Sequence, residues 1–122
     1  MHPLRVTRKP IPVAAVHLEV ERLVDRLVHL LNPRAIYLFG SAARGEMTDQ
    51  SDLDLLILGR DQNDIKAMRK LLRPHLPLSK YSVDFVWMSV QDFQSRSKIG
   101  GLAMVASEEG KCVYFAPGES HG

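Results

Sequence analysis

The sequence holds a single cysteine, Cys112, so no internal disulfide can staple it. One thiol without nearby Cys or His also excludes a zinc finger or a redox pair. Long apolar runs are missing too. Stretches such as 53–58, broken only by Asp54, fall far short of the roughly 18 residues a membrane-spanning helix needs. The basic opening lacks the apolar core of a secretory signal, and a cytoplasmic location is expected. Neither sign of charge dominates, with 16 Lys and Arg against 14 Asp and Glu. Arg5, Arg8 and Lys9 lie in an acid-free opening, so from Val13 onward thirteen bases face fourteen acids. A body that near neutrality offers no clustered basic face for a nucleic-acid duplex, and direct nucleic-acid binding is not expected. What is present is one domain's worth of chain: 122 residues, 45% hydrophobic, with no repeat or low-complexity segment.

Pro3, Pro10 and Pro12 among basic residues read as an extended or poorly ordered arm over 1–12, ahead of a domain over 13–115 and a frayed tail over 116–122. Val13, Val16, Val20, Leu23, Val24, Leu27 and Leu31 recur at helical spacing, with Glu19, Arg22, Asp25 and Arg26 on other faces and Asn32-Pro33 as the stop. Ala35–Phe39 reads as a buried strand, 41–51 as a polar loop and 53–58 as a strand covered on both faces. A helix over 61–73 has Asp61 or Asn63 as its cap and Pro74 as its stop. Strands are expected over 82–88 and Lys111–Phe115, with a short Ser89-capped helix over 89–96 and another turn or two over 102–108. That order implies an α/β or α+β sheet with helices on at least one face.

The chemistry concentrates in Gly40-Ser41-Ala42-Ala43-Arg44-Gly45 and in Asp52-Leu53-Asp54-Leu55-Leu56. Strand side chains alternate, so Asp52 and Asp54 share one side while Leu53, Leu55 and Ile57 take the other. Two carboxylates on one face suit a hard cation such as Mg²⁺. Asp84 adds a third acid inside the apolar run Val83, Phe85, Val86 and Trp87, where an unpaired charge is costly. On a neighbouring strand and the same face it would join the other two, a set suited to two-metal phosphoryl or nucleotidyl transfer. Paired instead with Lys80 or Arg34 it would be a structural ion pair. Gly40 allows close backbone approach, and its loop with the Ser41 hydroxyl can cradle phosphate, to which Arg44 could add a bidentate contact.

Gly40-Ser41, ten intervening residues and Asp52-Leu53-Asp54 resemble the signature of the minimal nucleotidyltransferases (MNT) of the DNA polymerase β-like superfamily. The fuller pattern Gly-Ser-x-Ala-Arg-Gly, then Ser-Asp-x-Asp-Leu-Leu, is present, and Asp84 stands where that family places its third carboxylate. The resemblance implies a polymerase β-like fold, a small mixed β-sheet flanked by helices. It implies Asp52, Asp54 and Asp84 as catalytic Mg²⁺ ligands, with two ions during turnover and ATP as substrate. It also implies Gly40 and Ser41 as nucleotide-binding residues, and Arg44 as a phosphate contact or a support of the loop.

Small stand-alone relatives pair with a helical HEPN RNase toxin and neutralise it by transferring AMP to a tyrosine hydroxyl. Larger relatives carry extra domains for the acceptor, for which 122 residues leave no room. The resemblance therefore implies an AMPylating antitoxin in a hetero-oligomer with a HEPN-type toxin. A non-catalytic antitoxin that works by binding, or a transferase acting on RNA ends or a small molecule, are the alternatives. The basic stripe Lys66, Arg69, Lys70 and Arg73 reads as a solvated helix face, the histidines as surface residues, and Tyr37, Phe39, Phe85 and Trp87 as core.

Overall fold

The computed structural model describes residues 7–96 and 110–117. The turn expected over 102–108, the first residues of the arm and the end of the tail lie outside them. Helix α1 (Val13–Leu31) buries Val16, Val20, Leu23, Val24, Leu27 and Leu31. It closes on Asn32, whose N–H donates to the Val28 carbonyl at 3.0 Å and whose left-handed φ of 50° then turns the chain out of the helix. There follow β1 (Ala35–Phe39), α2 (Gly40–Ala43), β2 (Leu53–Gly59), α3 (Gln62–Leu72), β3 (Val83–Ser89), α4 (Val90–Arg96) and β4 (Lys111–Phe115). Asp61 caps α3 by accepting from the Asp64 N–H at 2.8 Å, and Ser89 caps α4 by accepting from the Asp92 N–H at 3.0 Å. Pro74 does not stop the chain at once. It sits inside a 3₁₀ turn, Arg73–His75, that prolongs α3.

The strands form one sheet in the order β3-β2-β1-β4, with β2 and β3 parallel and the other pairs antiparallel. α3 supplies the crossover that a parallel pair requires. Leu53, Leu55 and Ile57 pack with α1 and α3 in the larger core, while Leu56 and Leu58 pack with Phe93 of α4 on the other face. Tyr37 meets Phe93 there at 5.0 Å between ring centroids. β2 is thus covered from both sides, which is why its apolar residues run nearly without alternation.

Three features depart from the sequence reading. Residues 9–11 are not a free arm: Asp49 N–H donates to the Lys9 carbonyl at 3.0 Å, Ile11 N–H donates to the Met47 carbonyl at 2.9 Å, and Pro10 bridges to Thr48. The expected loop after β1 begins instead with the single helical turn of α2. Glu19, expected on a solvent-facing side of α1, is 8% exposed.

Its burial is offset by charge-assisted bonds. Arg22 donates Nε–H and an Nη2–H to the Glu19 carboxylate, both at 2.9 Å, and Ser79 Oγ donates at 2.5 Å. Arg22 also donates to the Leu78 carbonyl at 2.7 Å, so the cluster ties α1 to the segment leading into β3. The Arg22 hydrogen bonds lead in holding the Glu19 carboxyl down at about 2, against 4.5 in an unconstrained chain. The unfolded chain therefore takes up a proton before the folded one does. The contribution is complete above about pH 4.5 and is lost as pH falls toward 2. Glu19→Ala should lower the unfolding free energy at pH 7 by about 2 kcal/mol in urea denaturation. The gap from wild type should narrow as the pH is taken from 4.5 to 2.

Candidate active site

β1 delivers the chain to Gly40 beside the start of β2, because Phe39 is the register partner of Asp54. Gly40 has a left-handed φ of 71°, and its backbone lies against the Asp54 carboxyl. A Cβ there would stand 3.2 Å from Asp54 Cγ and collide with Oδ2. Both conditions, positive φ and close approach, call for glycine. Ser41 follows within α2, whose turn is closed by Arg44 N–H donating to the Gly40 carbonyl at 3.2 Å.

Asp52 is the last residue before β2, Asp54 is its second residue, and Asp84, second in β3, is the parallel register partner of Asp54. Asp54 and Asp84 face the side of the sheet that carries Leu56, Leu58, Val86 and Met88. Asp52 and Asp84 are exposed and Asp54 is half-buried. Burial first, and then the neighbouring Asp84 and Asp52 charges, push the Asp54 carboxyl above its ordinary range, with Arg44 pulling the other way. No hydrogen bond or salt bridge holds the side chains of these three acids among the described residues. Lys80, one of the alternative partners for Asp84, instead has its Nζ 5.4 Å from the Tyr81 ring centroid. As the side chains stand, no three His, Cys, Asp or Glu among the described residues are grouped tightly enough to grip an ion. The donor chemistry, carboxylate oxygens from Asp52, Asp54 and Asp84 at one end of two neighbouring strands, is of the kind a hard cation takes.

Arg44 Nε donates to Glu46 Oε1 at 2.7 Å, with both side chains more than half exposed. Sequence reasoning missed that pairing, although an opposite charge two residues away was the available signal. It also missed the staple in the loop ahead of Asp52, where Thr48 N–H donates to Ser51 Oγ at 3.0 Å. The Thr-x-x-Ser spacing is the sequence trace of such a turn. Within the basic stripe, Arg69 lies over the Trp87 ring at 5.9 Å, while His17 and His29 pair with Glu21 and Asp25 on the surface of α1.

Residues 21–114 match the family described as polymerase beta, nucleotidyltransferase. The chain belongs to that family. A Sulfolobus solfataricus protein assigned as a nucleotidyltransferase shares the fold, at 16% identity and a TM-score of 0.53, over 84% of this chain and 86% of the other. A chain of a toxin–antitoxin complex solved with AMP-PNP is 24% identical over 80% of this chain and 74% of its own, with a TM-score of 0.48. A chain of the complex of tri-AMPylated Shewanella oneidensis HEPN toxin with MNT antitoxin is 20% identical over 84% and 72%, with a TM-score of 0.42. None of the curated proteins matches the chain.

For this member of the nucleotidyltransferase family, the crowding at Asp54 has a measurable cost. A raised carboxyl pKa means the folded state holds the proton more tightly than the unfolded chain, so stability falls as pH rises through it. Asp54→Asn should therefore raise the thermal midpoint at pH 7, and Gly40→Ala should lower it, because the new Cβ meets the carboxylate in a left-handed backbone. Calorimetry of the two variants beside wild type checks both directions.

Proposed function

We propose that this protein is a Mg²⁺-dependent nucleotidyltransferase that moves AMP from ATP to a tyrosine hydroxyl of a HEPN-type RNase toxin, acting as its antitoxin in a cytoplasmic hetero-oligomer. The observation that carries the reaction is the side-by-side register of Asp54 and Asp84, with Gly40 lying against Asp54. The choice of acceptor rests on the likeness of Gly40-Ser41 and Asp52-Leu53-Asp54 to the minimal nucleotidyltransferases. Among the described residues no helix is long and apolar enough to cross a membrane, which is consistent with that setting.

Asp52, Asp54 and Asp84 would hold Mg²⁺, which supplies charge neutralisation at the triphosphate and acidifies the attacking hydroxyl. Gly40 and Ser41 receive the phosphates, and Arg44, released from Glu46 or through its remaining N–H groups, adds a phosphate contact. The acceptor oxygen bonds to the α-phosphorus, the bond from that phosphorus to the bridging oxygen breaks, and pyrophosphate leaves with the electron pair. Asp84, on the neighbouring strand, takes the hydroxyl proton.

The test is intact-mass spectrometry of the cognate HEPN RNase after incubation with this protein, ATP and Mg²⁺. Wild type should add one or more AMP units, and the Asp52→Asn, Asp54→Asn double variant should be slower by about a thousandfold or more. A stable complex without mass gain would mean inhibition by occlusion and would overturn the transfer reading. MgCl₂ at about a hundred times its Kd should add about 2.7 kcal/mol to the stability of wild type, and nothing to the double variant. Thermal melts with and without the salt read this directly.

A further inference from the structure

Among the described residues β3 is an edge strand, since the sheet order is β3-β2-β1-β4. It is also long and apolar. Its seven residues, Val83–Ser89, carry one charge, Asp84, and all but Ser89 remain partly or fully exposed, whereas β2 beside it is buried almost throughout. One bond sets the direction of its free backbone groups. Leu53 N–H donates to the Ser82 carbonyl at 2.8 Å and Leu53 stands opposite Val83 in the parallel register, so Ser82, Asp84 and Val86 turn their N–H and C=O toward β2. Val83, Phe85 and Trp87 turn theirs outward. Proteins ordinarily cover an edge of this length and low charge, because it pairs with any extended chain that reaches it.

The helix above selects what can dock there. Arg69 of α3 lies over the Trp87 ring at 5.9 Å, and Trp87 stands beside Phe85 at 6.1 Å between ring centroids, so one flank of α3 overhangs the edge. Lys66 and Arg73 lie one turn before and one turn after Arg69 on that flank. Both are exposed, and together with Lys70 they make no salt bridge among the described residues. No acid lies near them in sequence, for residues 65–83 hold Lys66, Arg69, Lys70, Arg73 and Lys80 and neither Asp nor Glu. The edge is therefore flanked by uncompensated positive charge on its α3 side. Asp84 faces the other side of the sheet, with Val86 and Met88.

We propose that the outer edge of β3 is a docking site for an extended acidic segment of a partner protein, which joins the sheet as a further strand. The backbone of the segment pairs with the N–H and C=O groups of Val83, Phe85 and Trp87, and its alternate Glu or Asp side chains face Lys66, Arg69 and Arg73. The side chains between them fall on the side of Asp84, where like charge is disfavoured and uncharged residues fit. A nucleic-acid strand would match the bases but brings no donors and acceptors in ladder register to the open edge, so a peptide is the better fit. The inference concerns binding alone and stands independently of the transfer reaction proposed above.

The probes are a blocked peptide alternating Glu with Val, the same peptide with Lys in place of Glu, and an oligouridylate. Each is titrated in low-salt buffer into ¹⁵N-labelled full-length protein, to millimolar concentration. With the Glu peptide the amides of Phe85 and Trp87 should shift and their hydrogen exchange should slow by about tenfold or more, while Val86, already turned toward β2, changes little. The Lys66→Glu, Arg73→Glu double variant, altered only at exposed positions, should bind the Glu peptide about tenfold more weakly and should now take up the Lys peptide instead. Four results would each overturn the proposal: no binding of the Glu peptide, equal binding of the Lys peptide by wild type, shifts on α3 without exchange protection at Phe85 and Trp87, or tighter binding of the oligouridylate. The last two would leave a basic helix face that attracts polyanions and adds no strand.

Discussion

The double-sided burial of β2 is the constraint on which the rest depends. Leu53, Leu55 and Ile57 need α1 and α3 beneath them, and Leu56 and Leu58 need α4 above. The strand can meet both demands only as an interior member of the sheet, between β1 and β3. Once it is there, its entrance residue Asp54 is flanked by Phe39 on one side and Asp84 on the other. The functional end is thus positioned by hydrophobic forces several residues away from any polar chemistry. Removing one of these leucines would be expected to cost about 2–5 kcal/mol, well above what surface ion pairs contribute.

That arrangement imposes a tension between folding and chemistry. Burial and two like charges act against the ionised form of Asp54, and Gly40 gives up side-chain contacts to let the carboxylate lie against the backbone. A sequence selected for stability alone would relieve both. The retained strain lies at the same strand end as the family's Gly-Ser and Asp-x-Asp signature, where a cation and a nucleotide would relieve it.

Local patterns carried most of the element assignments. Ala35–Phe39 and Lys111–Phe115 were legible to the residue because each is a short apolar stretch between turn formers. β3 begins and ends one residue later than its composition suggested, and β2 takes in Gly59. Asp52, Asp54 and Gly40 were legible as candidates because strand alternation and a glycine after a strand are local facts. Long-range features were not legible. The sheet order rests on strand partners 15 or more positions apart, the pairing of residues 9–11 with 47–49 on partners 36 or more apart, and the enclosure of Glu19 on Ser79, 60 positions away, for all of which a single sequence holds no signal. Four residues of α2 are too few to show a helical period.

The short ribbon ahead of α1 also bears on how the molecule avoids its own kind. The loop leading to Asp52 exposes backbone that could template a foreign strand, and the 9–11 segment occupies it first. Only Lys9 and Ile11 can donate, since the prolines at 10 and 12 have no N–H, and Lys9 spends its donor on the Asp49 side chain. The added strand therefore presents an outer edge with no regular ladder of donors, so pairing ends with it. Proline placement thus leaves the segment beside the candidate active site without a repeating row of donors for a further strand to pair with.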